Sequence, residues 1–389
     1  MTTILPPKSL LKNLHIPERL LLGPGPSNCP SSVLKASAQQ MLGHLDEDFL
    51  KIMEDVKMGI KYAFQTTNEM TFAVSGTGQC AMETAICNIL ERDDVFLIAS
   101  DGIWGNRASE IGQRLGAKCY QMSIRAGDIL RLNQLEKVLA EKKPKVAFVC
   151  HGDSSSGVLQ PLDGLKKLME KCACLLIVDC VASLGAAPLF MDKSGIDVLY
   201  SGSQKILNAP PGLSPISFSS KAVEKIKMRK TKVPSFYMDA LLLGNYWRCD
   251  SGPITYHHTA PISLMYALRE ALSLLIAETL EKCWERHKLH ADMLYEKLED
   301  MGLKLFVSEK AHRLPSVTTV LIPYEVDGQN VIKSIKNRFR IDIAGGLGST
   351  SGKVWRIGLM GYNCNANNVM TIAKSLQECI NNSKLKSSL

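Results

Sequence analysis

Between residues 71 and 200 the chain carries five short runs of continuous apolar character: Thr71-Phe-Ala-Val74, Val95-Phe-Leu-Ile-Ala99, Val146-Ala-Phe-Val149, Leu175-Leu-Ile-Val178 and Asp197-Val-Leu-Tyr200. Apolar residues that run on rather than alternate mark strands covered on both faces. Helical spacing fills the gaps, as at Ala81 to Leu90, Arg107 to Leu115 and Leu162 to Cys172. Such alternation predicts an α/β domain on a mainly parallel sheet, whose ligands gather beyond the carboxyl ends of the strands.

At 389 residues the chain exceeds one minimal core, and a large and a small domain are expected. The predicted division is an extended arm over residues 1–20, a large domain over 21–278 and a smaller C-terminal α/β domain over 279–389. A long helical pattern from Ile262 to Met301 links the two. The smaller unit offers strands at Lys304-Leu-Phe-Val307, Val317 to Ile322 and Val354 to Ile357, then a helix from Ala366 to Ile380.

Composition removes several classes of function. The net charge of +8 is dispersed, and basic tracts such as Lys225-Ile-Lys-Met-Arg-Lys-Thr-Lys232 lack the aromatic interleaving of a nucleic-acid surface, so they read as solvated helix ends. The 12 cysteines are scattered, many inside apolar runs, and read as reduced, buried side chains. No paired C-x-x-C sets occur, and no metal site is expected. No apolar run approaches the roughly 20 residues that cross a bilayer. The first twenty residues contain Pro6, Pro7 and Pro17, which argue against a secretory signal. Lys8 and Lys12 precede the first acid, Glu18, as in an organelle presequence, but the prolines oppose the amphipathic helix one needs.

Polar residues cluster where the strands end. Ser75-Gly-Thr77-Gly-Gln79 follows one strand, His151-Gly-Asp-Ser154-Ser-Ser-Gly157 another, Asp179 a third and Ser201-Gly-Ser-Gln204-Lys205 a fourth. Asp179 alone would read as a helix cap, and Lys205 alone as a surface lysine. Both at adjacent strand ends point to an aldehyde cofactor: the amine condenses with a carbonyl, and the carboxylate keeps a pyridine nitrogen protonated. That is the chemistry of pyridoxal 5'-phosphate. The glycines around Thr77 and the helix behind them suit its phosphate. Trp104, in a glycine-flanked loop, can stack on the ring. Arg356 lies within an apolar strand, where a guanidinium needs a partner: a carboxylate ligand or an internal salt bridge. The adjacent histidines of Tyr256-His-His-Thr259 resemble a metal site only weakly.

The ordered set Leu22-Gly-Pro-Gly-Pro-Ser-Asn28, Gly102-Ile-Trp-Gly105, His151 to Pro161, Asp179 to Gly185, Ser201 to Gly212, Tyr256-His-His-Thr259, Arg313 to Thr319 and Gly345-Gly-Leu-Gly348 resembles the class V, fold-type I aminotransferases over nearly the whole chain. The resemblance implies that Lys205 forms the Schiff base and shuttles the proton, Asp179 pairs with the pyridine nitrogen, and Trp104 stacks on the ring. Ser154 would lie by the ring hydroxyl and the substrate. Thr77, Gly78, Gln79 and Gln204 would hold the phosphate, joined by Tyr256 and Thr259 from the second subunit of a homodimer. Arg356 and Gly25 would meet the substrate. The implied reaction moves an amino group from alanine or serine to glyoxylate or pyruvate. Gln79, where the family often has histidine, and Ser349, where it often has proline, depart from the pattern and put the phosphate contacts and a loop's stiffness in question.

Other readings share the scaffold. A 3-hydroxykynurenine transaminase would look alike. A cysteine desulfurase needs a mobile cysteine before Arg356, and none lies between Cys283 and Cys364. A non-catalytic dimeric homologue would not need Lys205, Asp179 and Arg356 together. The resemblance favours a peroxisomal location, with the mitochondrion second. The terminal Ser387-Ser388-Leu389 lacks the central basic residue of the Ser-Lys-Leu address.

Overall fold

The structure, a computed structural model, describes residues 4–383, so Ser387-Ser388-Leu389 lies outside it. Its central sheet has seven strands: β1 (Thr71–Ser75), β2 (Val95–Ile98), β3 (Lys118–Gln121), β4 (Val146–Cys150), β5 (Leu175–Asp179), β6 (Val198–Tyr200) and β7 (Leu213–Phe218). They lie in the order β1-β7-β6-β5-β4-β2-β3, and β7 alone runs antiparallel to its neighbours. All five predicted runs are strands, and β4 is buried along its whole length, as continuous apolarity requires. Side chains such as Phe148, fully buried there, each contribute on the order of 2 kcal/mol.

Three helices place the sheet's polar ends. Helix α1 (Glu47–Phe64) is capped by Asp46, which accepts from Asp48 N, and it buries Phe49, Met53, Val56 and Ile60 along one face. Helix α2 (Gly78–Ile89) follows β1 directly, and α3 (Gly102–Arg114) follows β2. Trp104 therefore sits in the first turn of α3 and not in a loop, because Asp101 at the cap and Gly102 at φ +82° start the helix early.

The pattern from Ile262 to Met301 is two helices. Helix α4 (Ile262–Glu278) packs on α1 so closely that a Cβ on Gly59 would stand 3.0 Å from Leu272. Thr279, at φ +73°, breaks the run, and α5 (Leu280–Asp300) begins with the Thr279 side chain accepting from Lys282 N. Apolar spacing continues on both sides of the break, which hides it in the sequence. A three-stranded antiparallel sheet follows, with β8 (Val317–Leu321) and β9 (Ala344–Gly345) on either side of β10 (Val354–Gly358). Residues 304–307 form no strand; Leu305 makes a single bridge to Val320. Helices α6 (Gly328–Phe339) and α7 (Ala366–Asn381) complete this unit.

Apolar side chains gather in two main cores. One surrounds the seven-stranded sheet, and the other holds Leu294, Leu298, Val331, Trp355, Ile357 and Leu376. Leu22 belongs to the second core, and Leu20 and Leu21 pair with Ile341 and Asp342. The start of the 21–278 segment thus packs with the C-terminal unit.

Candidate active site

Residues at the carboxyl ends of β1, β4, β5 and β6 enclose a cavity of about 160 Å³. Thr77, Gly78, Gln79, Trp104, Ser154, Asp179, Gln204 and Lys205 all line it, together with Met82, Val181 and Ala182. Eight residues singled out from the sequence are thereby brought to one place.

Asp179 ends β5 at 3% exposure. Its carboxylate accepts from Val181 N and from the Tyr200 hydroxyl, each at 2.8 Å. Burial raises its pKa to about 6 despite those bonds. A buried carboxylate with two neutral donors, and no cation bonded to it among the described residues, can receive a protonated ring nitrogen. Tyr200 was not foreseen. A phenol closing an apolar strand must find a partner for its buried hydroxyl, and that was the available signal.

Lys205 Nζ donates to the Pro24 carbonyl at 2.5 Å. Burial, then the charge of Arg356, lowers its pKa to about 8, with Asp179 opposing. The amine is thus nearer to its uncharged, nucleophilic form at neutral pH than a surface lysine is. Gly25, at φ +102°, lies against it: a Cβ there would stand 2.5 Å from Lys205 Cδ.

Ser154 joins the two halves of the site. It lies in a tight turn after Gly152–Asp153, which pairs with Val158–Leu159. The buried Asp153 carboxylate fixes that turn by accepting from Ser155 N and from the hydroxyls of Ser155 and Ser156. Ser154 Oγ accepts from Trp104 Nε1 at 3.2 Å, and Ser154 O accepts from Arg356 Nη1 at 3.0 Å. Arg356 Nε donates to Gly345 O at 2.8 Å. Its guanidinium is therefore held by carbonyls rather than by the internal salt bridge considered above, and among the described residues nothing pairs with Nη2. A cation so placed can take an anionic ligand.

The phosphate end differs in detail from expectation. Helix α2 starts at Gly78, so its first N–H groups have no partner within the helix. The Thr77 hydroxyl makes no cap bond and stays available. Gln204 Oε1 is buried without a partner. The Gln79 side-chain amide, however, accepts from Arg107 and donates to Glu83, each at 3.1 Å, so it is engaged by its own surface neighbours.

Tyr256 and Thr259 stay outside the cavity wall; Tyr256 is 53% exposed and bonds Thr259 at 3.3 Å. His257 and His258 meet ring to ring through their Nδ1 atoms at 2.8 Å, and His258 reaches Ser75 Oγ at 2.6 Å. Among the described residues no group of three or more His, Cys, Asp or Glu could hold a metal, and no helix is long and apolar enough to cross a membrane.

A sheet of this order with a lysine, a buried aspartate and a helix end around one cavity defines a fold-type I enzyme scaffold, and the chain belongs to the Aminotransferase class-V family, which matches residues 20–369. It is 52% identical to alanine–glyoxylate aminotransferase of Oryctolagus cuniculus, over 97% of this chain and 96% of that one. The enzyme of the same name from Drosophila melanogaster is 43% identical over 98% and 97%. The solved alanine–glyoxylate aminotransferase of Nostoc sp. superposes with a TM-score of 0.92 at 46% identity, over 95% of this chain and 97% of that one.

Proposed function

We propose that this aminotransferase uses pyridoxal 5'-phosphate to move an amino group from alanine, or serine, to glyoxylate, or pyruvate. The observation that carries the reading is the convergence of Lys205, Asp179, Trp104 and Ser154 on one cavity, with Arg356 held behind Ser154. The residues present suit the cofactor. Thr77, Gly78 and the Gln79 backbone would hold its phosphate, with the Gln204 side chain donating through Nε2, and Asp179 would hold its ring nitrogen. Bound there, it supplies a carbonyl for exchange with amines and a ring that accepts electron density.

Each residue then has a definite task. Lys205 Nζ would act as base and then as acid within each half of the cycle, taking the proton from the donor's α-carbon in the first half and giving one to the acceptor's α-carbon in the second. Asp179 keeps the ring nitrogen protonated. Trp104 fixes the ring plane, held in turn by Ser154. Arg356 orients the substrate carboxylate through its free guanidinium edge.

The choice of substrates rests on the alanine–glyoxylate name of relatives 52% and 43% identical over nearly full length. Likeness to a cysteine desulfurase of Thermococcus onnurineus, at 14% identity, speaks for shared fold alone. A homodimer belongs to the proposal. Leu5, Leu10, Leu14 and Phe236 are 68–87% exposed, and a second copy would cover such apolar surface. The test is glyoxylate consumption with alanine, set beside activity on 3-hydroxykynurenine. Turnover confined to the latter would refute the substrate assignment.

A further inference from the structure

Asn208 lies outside the cavity wall, yet its side chain ties together segments that are remote in sequence. Nδ2 donates to Ser27 Oγ at 2.6 Å, to Asn28 O at 3.0 Å and to Met360 O at 3.3 Å, and Oδ1 accepts from Tyr362 N at 2.7 Å. One amide thus serves the 23–28 loop and the turn after β10, from a position three residues beyond Lys205. Asn208 is 5% exposed and sits at φ +55°, a conformation asparagine tolerates better than most residues. Gly361 packs so tightly on its Oδ1 that no side chain fits there.

Ser27 carries the connection onward. Its N–H donates to Gln204 O at 3.0 Å and its hydroxyl to Lys205 O at 2.8 Å. Three residues earlier in the same loop, the Pro24 carbonyl accepts from Lys205 Nζ. The loop therefore grips the lysine at both ends, by its backbone and by its amine. A lysine side chain is long and flexible, and holding both ends is what gives its amine one direction.

We propose that Asn208 is a positioning residue: by locking the Pro24–Ser27 loop to the lysine backbone and to the turn after β10, it sets where the Lys205 amine points. The significance of that direction rests on the proposed role of Lys205. The physical claim concerns the amine itself.

The test titrates that amine in the full-length chain, with any bound aldehyde removed, by the pH dependence of Lys205 acetylation read from mapped peptides. Asp179 and Arg356 are the charged groups facing it. A bond from the ammonium to the Pro24 carbonyl favours the charged form, so losing it lowers the midpoint. Asn208→Gly keeps the positive φ and adds no charge, while Ser27→Ala removes the link to Lys205 O. Each is expected to lower the midpoint by roughly half a unit to one unit. The double variant should fall no further than the larger single shift, since both act through one loop. Unchanged midpoints in folded variants, or shifts that add, would overturn the proposal. Should Asn208→Gly fail to fold, Ser27→Ala decides alone. A wild-type chain that takes up no aldehyde on Lys205 would refute the proposed function and leave this titration to stand on its own.

Discussion

Arg356 Nη1 rests on the carbonyl of Ser154 at 3.0 Å, while the Ser154 hydroxyl receives the indole of Trp104. The guanidinium that would clasp the substrate and the ring that would cover the cofactor are thus hung on one residue. Arg356→Lys keeps the charge and loses the planar fork. Its kcat/KM should fall about a hundredfold for amino donor and keto acceptor alike, roughly 3 kcal/mol, as measured by steady-state kinetics on both half-reactions. Loss for one substrate alone would contradict a shared carboxylate site.

Asp179 is ionised in the fold at a cost. Its pKa is raised from 3.8 to about 6 by burial, so its contribution to stability is full below pH 4 and is lost as pH rises through 6. Asp179→Asn should therefore abolish turnover yet stabilise the aldehyde-free chain at pH 7 by about 2–3 kcal/mol. Denaturant unfolding at pH 7 and pH 4 checks this, and the difference should vanish at the lower pH.

His287 behaves in the opposite sense. Fully buried, it accepts from Gly361 N through Nε2 and uses Nδ1 on Cys283 O, and burial with the charge of Arg286 lowers its pKa to about 4. A base depressed in the fold lends stability above pH 6.5 and loses it as pH falls through 4. Stability should drop by on the order of 3 kcal/mol over that interval, and His287→Gln should flatten the drop. Equal slopes in both proteins would exclude His287 as the source.

How far these arrangements were legible depends on what kind of atom makes the contact. Continuous apolar runs announced the sheet, and the polar residues at its strand ends announced Lys205, Asp179, Ser154 and the loop at Thr77, because parallel sheets bring such ends together. Pro24, Val181 and Gly345 act through backbone atoms, which leave no mark in residue type. Tyr200 is hidden among apolar neighbours in β6, and nothing in the residue type of Asn208 tells its four side-chain hydrogen bonds from those of a turn asparagine. The Thr279 break escaped because threonine is common inside apolar periodicity. Residues 304–307 misled in the other direction: short apolar runs also occur where a chain makes one bridge and moves on.

Gly25 offers a steric test. Alanine at φ +102° is strained by about 1–3 kcal/mol, and its Cβ would displace the Lys205 side chain. Gly25→Ala should lower kcat at least a hundredfold while the chain stays folded by circular dichroism. Near-normal turnover would show that the lysine has room to spare.

The most direct measurement is to incubate the protein with pyridoxal 5'-phosphate, reduce it with borohydride and map the labelled peptide. One label on Lys205, absent from Lys205→Ala, is the predicted result. A label on another lysine, or none, would contradict the account.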